Sequence, residues 1–353
     1  MASDTVSAWV DLVSPSHPFF FRALVDELPE LDVTTTVREK TETVDLAATV
    51  GFDHEVVGRD FDTALLRKIG IPLRTAQLTV QAPAADVSLS SRNAMCILAS
   101  KARGIPSIHF TDNDITAHVD GLPYEGLYNR LEAMATHNVV PAAFETEELT
   151  KRGADPDSVH TYDGYKEDIY IADFEPDPGF TDQFPFEEYI VIRPEALGAA
   201  YVEAEQSLVP ELLAGAADRE LSVVYLPRGR GDEAYADPYD ETQVYTPDTA
   251  LDGLQLAWHS RCMLTGSGTM AREAACMSKP AVSFFPNELL SVDTDMVNKD
   301  MIFHSRDVSS IIDYIFSRSQ ADLLPSTHRC ESVLKDVVNI VGSIIETEIN
   351  GDF

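Results

Sequence analysis

Residues 262–285 read CMLTGSGTMAREAACMSKPAVSFF, and few folds accommodate that order. A short apolar run, Cys262–Leu264, ends in Thr265-Gly266-Ser267-Gly268-Thr269. Met270, Ala271, Ala274, Ala275 and Met277 then recur at helical spacing. Ser278-Lys279-Pro280 stops the helix, and Ala281–Phe285 reads as a second buried strand. This is a strand–turn–helix–strand unit. Such a crossover joins parallel strands, which commits this part of the chain to an α/β sheet.

The turn itself has a physical use. Two glycines let backbone approach a ligand, and the start of a helix leaves N–H groups without intrahelical partners. Together with the helix dipole, those donors form an anion site suited to phosphate. Ser267 and Thr269 add hydroxyls, one of which is expected to cap the helix. Glu273 lies about one turn inside, too deep for a simple cap. A Gly-rich turn with a capping hydroxyl and a surface glutamate fits the same pattern, so spacing alone leaves both readings open.

The rest of the chain repeats the alternation. Strands are expected at 6–13, 34–37, 54–57, 85–89, 107–111 and 138–140, with helices at 19–28, 44–50, 61–80, 93–103 and within 122–136. The helix over 61–80 carries Gly70-Ile71-Pro72, where an interruption is expected. Gly104 closes the helix before it. Gly153–Pro185 breaks the rhythm, being rich in Asp, Pro, Tyr and Gly, and reads as a connection in which 164–167 are ordered. A second set follows: strands at 189–192, 222–226 and 243–245, and helices at 202–217, 249–259, 307–318 and 329–349. The expected division is therefore 1–185 and 186–353, two α/β halves with no short repeat between them.

Size and charge narrow the classes. A chain of 353 residues with 44% hydrophobic content suits two domains with real cores. No run approaches the ~18 apolar residues of a membrane span, and the start, MASDTVSAWVDL, lacks the basic region of a signal peptide. The formal charge is −33, from 59 acidic against 26 basic residues, which repels nucleic acid and anionic lipid. Eight lysines against eighteen arginines, with acids spread along the chain, suggest a halophilic archaeal protein in a salt-rich cytoplasm. Cys96, Cys262, Cys276 and Cys330 show no paired spacing and read as buried free thiols rather than a zinc site.

Ser267-Gly268-Thr269-Met270-Ala271-Arg272-Glu273-Ala274 resembles the Ser-Gly-Gly-x-x-Glu-Glu-Ala segment of the non-hydrolysing UDP-N-acetylglucosamine 2-epimerases. The whole chain, from VSAWVDLVSPSHPFFF through YIVIRPEALGAAY and VVYLPRGRGDE to GSGTMAREAA, is similar to the family catalogued as domain of unknown function 354, itself thought related to GT-B enzymes. The resemblance implies a GT-B-like fold: two Rossmann-like parallel-sheet domains facing a cleft, with the last helix crossing back to the first domain. It also implies that Gly266, Ser267, Gly268 and Thr269 hold a nucleotide diphosphate and that Glu273 holds the ribose.

In open α/β sheets ligands lie beyond the carboxyl ends of the strands, which makes those ends the candidate sites. Asp11 and His17 lie in the first such loop. SPSHPFFFRAL resembles the Gly-Gly-His-x-x-Pro-Ala-Leu loop of lipid-linked N-acetylglucosaminyl transferases, with the glycines missing. That comparison makes His17 a candidate base for an acceptor hydroxyl; packing at the helix start with Pro18 in its first turn is the alternative, and Asp11 reads as structural. Ser90-Ser91-Arg92-Asn93 could grip a phosphate or cap a helix. His109 and Asp112-Asn113-Asp114 follow the fifth strand, where Asp112 is the second candidate acid/base; a metal reading is disfavoured. The epimerases carry His-x-Glu-Ala-Gly-Leu-Arg in this region, and this sequence departs from it. Arg193, Arg228 and Arg230 end strands of the second half. Arg193 and Arg228 are expected to neutralise a diphosphate, although pairing with Asp232 and Glu233 is open to them.

The expectation is thus a metal-independent glycosyltransferase without a cofactor, taking a nucleotide sugar expected to be UDP-linked. The alternatives are a 2-epimerase and a non-catalytic nucleotide-sugar-binding protein. The acceptor is open, a lipid-linked one at the inner membrane face included, and so is the oligomeric state.

Overall fold

The computed structural model describes residues 5–39, 41–59, 64–119, 123–196, 206–229, 231–319 and 321–350. The chain forms two compact units, one of residues 1–170 with 331–353 and one of residues 171–330.

Among its described residues the first unit holds seven parallel strands: β1 (Val6–Leu12), β2 (Leu31–Glu39), β3 (His54–Arg59), β4 (Val87–Ser91), β5 (Ser107–Phe110), β6 (His137–Pro141) and β7 (Val159–Tyr162). Their spatial order is β3-β2-β1-β4-β5-β6-β7. The central strands are buried almost throughout, β4 and β5 at every residue, as parallel strands covered on both faces must be. The helix Ala94–Arg103 shows how sequence sets an element. Asn93 accepts from the Cys96 N–H, and Gly104 ends the helix at φ +70°, a left-handed conformation that favours glycine. Its buried face, with Met95, Cys96 and Ala99, packs on Trp9, Val57 and Leu78.

Among its described residues the second unit holds six parallel strands: β8 (Ile190–Arg193), β9 (Val223–Tyr225), β10 (Val244–Tyr245), β11 (Cys262–Thr265), β12 (Ala281–Ser283) and β13 (Phe303–His304). Their order is β10-β9-β8-β11-β12-β13. One core of Ile190, Ile192, Leu212, Leu213, Tyr225, Leu264, Phe284, Ile311 and Ile315 fills the space between this sheet and the helices Val209–Ala217 and Val308–Ser317. All four cysteines are free and buried.

Four expectations change. The stretch 153–185 is not mere connection: it supplies edge strand β7, and residues from 171 onward group with the second unit. The reason is aromatic and polar anchoring. Phe180 stacks on His259, Phe184 packs edge-on against Tyr189, and Gln255 bonds both the Asp177 N–H and the Glu175 carbonyl. The helix Ala64–Gln81 runs through Pro72 without interruption. Within it, the Thr75 hydroxyl donates to the Ile71 carbonyl. The helix Ser291–Asn298 and strand β13 went unforeseen. The helix expected at 202–217 begins only at Val209, with 206–208 outside it and 202–205 lying outside the described residues.

The final helix, His328–Asn350, returns the chain to the first unit from Glu331 onward. There the His137 ring bonds Glu348 at 2.9 Å, and Gly164 leaves the space that the Val333 side chain fills. No described helix is long and apolar enough to cross a membrane.

Candidate functional site

In the second sheet the chain travels from β8 outward through β9 to β10, then returns to the other side of β8 with β11. Ligands of open α/β sheets bind at such a reversal, beyond the carboxyl ends of the strands. Here Thr265 and Arg193 are register partners, and the Gly266 N–H donates to the Arg193 carbonyl at 3.0 Å.

Gly266 admits no side chain. A Cβ there would lie 2.6 Å from both the backbone nitrogen and Cα of Glu195. Glu195 is itself buried and fixed, accepting from the Ser207 hydroxyl (2.7 Å), the Leu208 N–H (3.1 Å) and Arg306 (3.1 Å). Arg306 also donates to the Phe284 carbonyl. The loops after β8, β11, β12 and β13 are thereby locked around one glycine.

Helix Gly268–Cys276 starts at this point. Ser267 occupies the cap position with extended backbone but makes no side-chain cap bond, contrary to the expectation that a hydroxyl would cap the helix. Instead its oxygen accepts from Arg228 Nη2 at 2.8 Å and lies 3.2 Å from Thr265 Oγ1. Arg228 is pinned by donating Nε–H to the Pro194 carbonyl at 2.8 Å, and its backbone N–H donates to Asp232. Arg230 lies outside the described residues. Behind the turn, Arg272 is buried and pairs with Asp293 at 3.5 Å. Glu273 is half-buried, with Oε2 3.9 Å from where a Cβ on Gly253 would stand. The structure thus brings Arg193, Arg228, Gly266, Ser267, Gly268 and Thr269 to one corner and sets Glu273 one turn along, beside the start of helix Gly253–His259.

The reversal in the first sheet falls between β1 and β4. His17 opens the helix His17–Asp26 and is buried. Its Nδ1 accepts the Val13 N–H at 3.4 Å, which leaves the proton of the neutral ring on Nε2. Burial first, then the nearby charge of Lys166, lowers its pKa to about 3 against the opposing influence of Asp112. His17 is thus held neutral with a proton on Nε2. Asp112 is buried and pairs with Lys166 at 3.6 Å.

Asp11 is structural, as expected. It receives a two-pronged bond from Arg74 (2.7 and 2.8 Å), the Thr36 hydroxyl and the Asn93 amide, all buried. Ser90 and Ser91 belong to β4, and Asn93 provides the cap. Arg92 is taken up by Glu125, Glu132 and Asn129. Asp114 accepts from the Glu145 N–H and faces His118. Among the described residues no group of three His, Cys, Asp or Glu side chains is placed to hold a metal ion.

Two parallel-sheet α/β units and a last helix that rejoins the first define the GT-B class. Solved structures of that class align along nearly the whole chain. The Neisseria meningitidis UDP-GlcNAc 2-epimerase, solved bound to UDP-GlcNAc, matches with TM-score 0.69 and 13% identity over 96% of this chain and all of that one. The Rickettsia bellii UDP-N-acetylglucosamine 2-epimerase gives TM-score 0.72 and 13% identity over 97% of each chain. The calicheamicin glycosyltransferase CalG4 gives TM-score 0.56 and 13% identity over 98% of each. Within the class, the chain belongs to the family described as protein of unknown function (DUF354), whose model matches residues 6–344. An uncharacterized protein of Methanocaldococcus jannaschii is 24% identical over 325 residues, 88% of this chain and 91% of that protein.

Proposed function

We propose that the protein is a glycosyltransferase that takes a nucleotide-diphosphate sugar in its second unit. The observation that carries this reading is the uncapped start of helix Gly268–Cys276, with Arg228 bonded to Ser267 beside it at the strand reversal. Backbone donors, helix dipole and guanidinium converge there, a combination that favours a phosphate group. In this reading Gly266–Thr269, Arg193 and Arg228 hold the diphosphate and Glu273 accepts bonds from the ribose hydroxyls. The donor is UDP-linked, as the ligands of solved relatives in fold suggest. The same donors stabilise the departing diphosphate, so no metal or cofactor is called for.

The acceptor belongs to the first unit. Asp112, paired with Lys166, takes the proton of the attacking hydroxyl, while His17 offers its Nε2–H to the acceptor. The reaction is placed in a salt-rich cytoplasm, where a formal charge of −33 is screened. Titration calorimetry at high salt with UDP, GDP, CDP and their sugars tests the donor site. Saturable binding of one diphosphate is expected, and silence from all of them ends the reading.

Sugar-nucleotide epimerisation is the second reading, favoured by the run of UDP-GlcNAc 2-epimerases among the structural relatives. Incubation with UDP-N-acetylglucosamine in deuterated water separates the two. Deuterium at C2 without an acceptor marks epimerisation, whereas transfer leaves C2 unlabelled.

A further inference from the structure

The carboxyl ends of the first sheet hold polar side chains that the protein itself does not satisfy. Ser91 ends β4, is 1% exposed, and its hydroxyl has no hydrogen-bond partner. Its register partner is Phe110, whose ring packs edge-on against Phe20 and Phe21 of helix His17–Asp26. Register partners in a sheet point to the same face, so Ser91 lies on the side that this helix covers. His17 is 4% exposed. Its one hydrogen bond among the described residues is the bond that Nδ1 accepts from Val13, so the Nε2–H has no acceptor.

Lys166 follows the end of β7, and its side chain is 14% exposed. It pairs with Asp112 at 3.6 Å, too long for a hydrogen bond. On the surface, by contrast, Lys299 sits 2.8 Å from Asp295. An ammonium carries three N–H donors, and Lys166 gives none of them to an oxygen of the described residues. Burying such a head is costly while its donors stay unused. Arg38 and Asp112 hold further interactions of their own, so the Lys166 pair is only part of the environment of Asp112. The positive charges of Lys166 and Arg38 oppose a proton on His17, and Asp112 favours one, which puts these four side chains in one neighbourhood. A hydroxyl, an imidazole N–H and an ammonium, all lacking an acceptor, thus gather where the acceptor was placed above.

We propose that the acceptor carries an oxyanion, a carboxylate or phosphate close to its attacking hydroxyl, and that Lys166 is the residue that selects it. This deepens the acceptor-site reading above and rests on it. The ammonium donates to the anion's oxygens, and the His17 Nε2–H and the Ser91 hydroxyl add neutral donors to the same group. Asp112 is left to face the hydroxyl. A neutral alcohol would leave the ammonium's donors idle, so it binds less well. In a chain of −33 an acidic acceptor needs a fixed cation to dock on.

The test follows the His17 ring signals by NMR in the whole protein labelled at histidine, at fixed salt, with His17→Gln supplying the assignment. The probes are glycerol 3-phosphate, glycerate and glycerol, which share a hydroxyl-bearing frame and differ in the anion. At least one anionic probe should move the His17 signal saturably, and glycerol should not; the stronger of the two anions names the group. Lys166→Met should weaken that probe about tenfold, and Lys166→Arg should recover much of the loss. An unchanged melting profile shows that the variants are folded, and the selectivity of wild type decides the matter should Lys166→Met fail to fold. If glycerol moves the signal as strongly as the anions, the acceptor site stands and the anion assignment is wrong. If folded Lys166→Met binds the anion as tightly as wild type, Lys166 is not the selecting residue. If no probe moves the signal while UDP still binds in the same sample, this inference falls and the donor site stands.

Discussion

The two sheets reverse at matching corners, β1 against β4 and β8 against β11, and the two corners are filled in opposite ways. In the first, Asp11 projects into the core and is met by Arg74, Thr36 and Asn93. In the second, β11 is followed by Gly266, the helix starts without a side-chain cap, and an arginine reaches Ser267. One corner satisfies its charge from within the protein. The other starts a helix without a side-chain cap and sets a guanidinium beside it. A polar residue at a strand end is thus ambiguous until its partners are known.

That contrast can be broken most sharply at Asp11. Asp11→Ala leaves Arg74 buried and uncompensated, which should cost about 3–5 kcal/mol. Denaturant unfolding should show it, and nucleotide binding by whatever protein remains folded should be unaltered. Loss of binding in the folded fraction would mean the first corner is not merely structural.

At the other corner, Gly266→Ala drives a methyl into the Glu195 backbone and should cost about 1–3 kcal/mol, with diphosphate binding lost even where the fold survives. Unchanged binding would show that the turn's shape does not matter to the ligand. Arg228→Ala should weaken UDP about tenfold with little change in melting temperature, since the residue is exposed. A large stability loss with intact affinity would reassign Arg228 to structure.

A pH-dependent effect sharpens the first corner. The pKa of folded His17 lies near 3, below the ordinary 6.5 of the unfolded chain, so the unfolded chain takes up this proton first. Stability should hold above about pH 6.5 and fall as pH drops toward about 3, by at most about 1.4 kcal/mol per pH unit from this group. His17→Gln should lack that component of the slope. Identical acid profiles for the two proteins would mean that His17 charges freely and is available as a base after all.

The βαβ unit at 262–285 was readable because its apolar spacing changes from strand to helix and back across a glycine turn. Edge strand β7 was not, because only Tyr162 of its four residues is buried and the pattern is too short to show a period. β13, with two half-buried residues, gave even less. At the site, glycines and hydroxyls announced themselves, but Glu195 and Arg272 did not. Charged residues read as surface, yet Glu195 accepts three bonds in the interior and Arg272 folds under its own helix. The one available signal was local: a glycine that must stay glycine implies a neighbour, though not which one. Ser267 misled in the opposite sense, since a serine before a helix reads as a cap and here it serves an arginine.

The chain leaves the first unit after Tyr170 and re-enters it at Glu331, so the second unit is an insertion within the first. A ribosome would therefore finish the inserted unit before supplying the helix that completes its host. Until Glu348 arrives, His137 lacks its carboxylate, and until Val333 arrives the space over Gly164 stands empty. Cutting the chain after Cys330 should consequently injure the unit made first and spare the one made second. The order of synthesis and the order of completion are inverted in this protein.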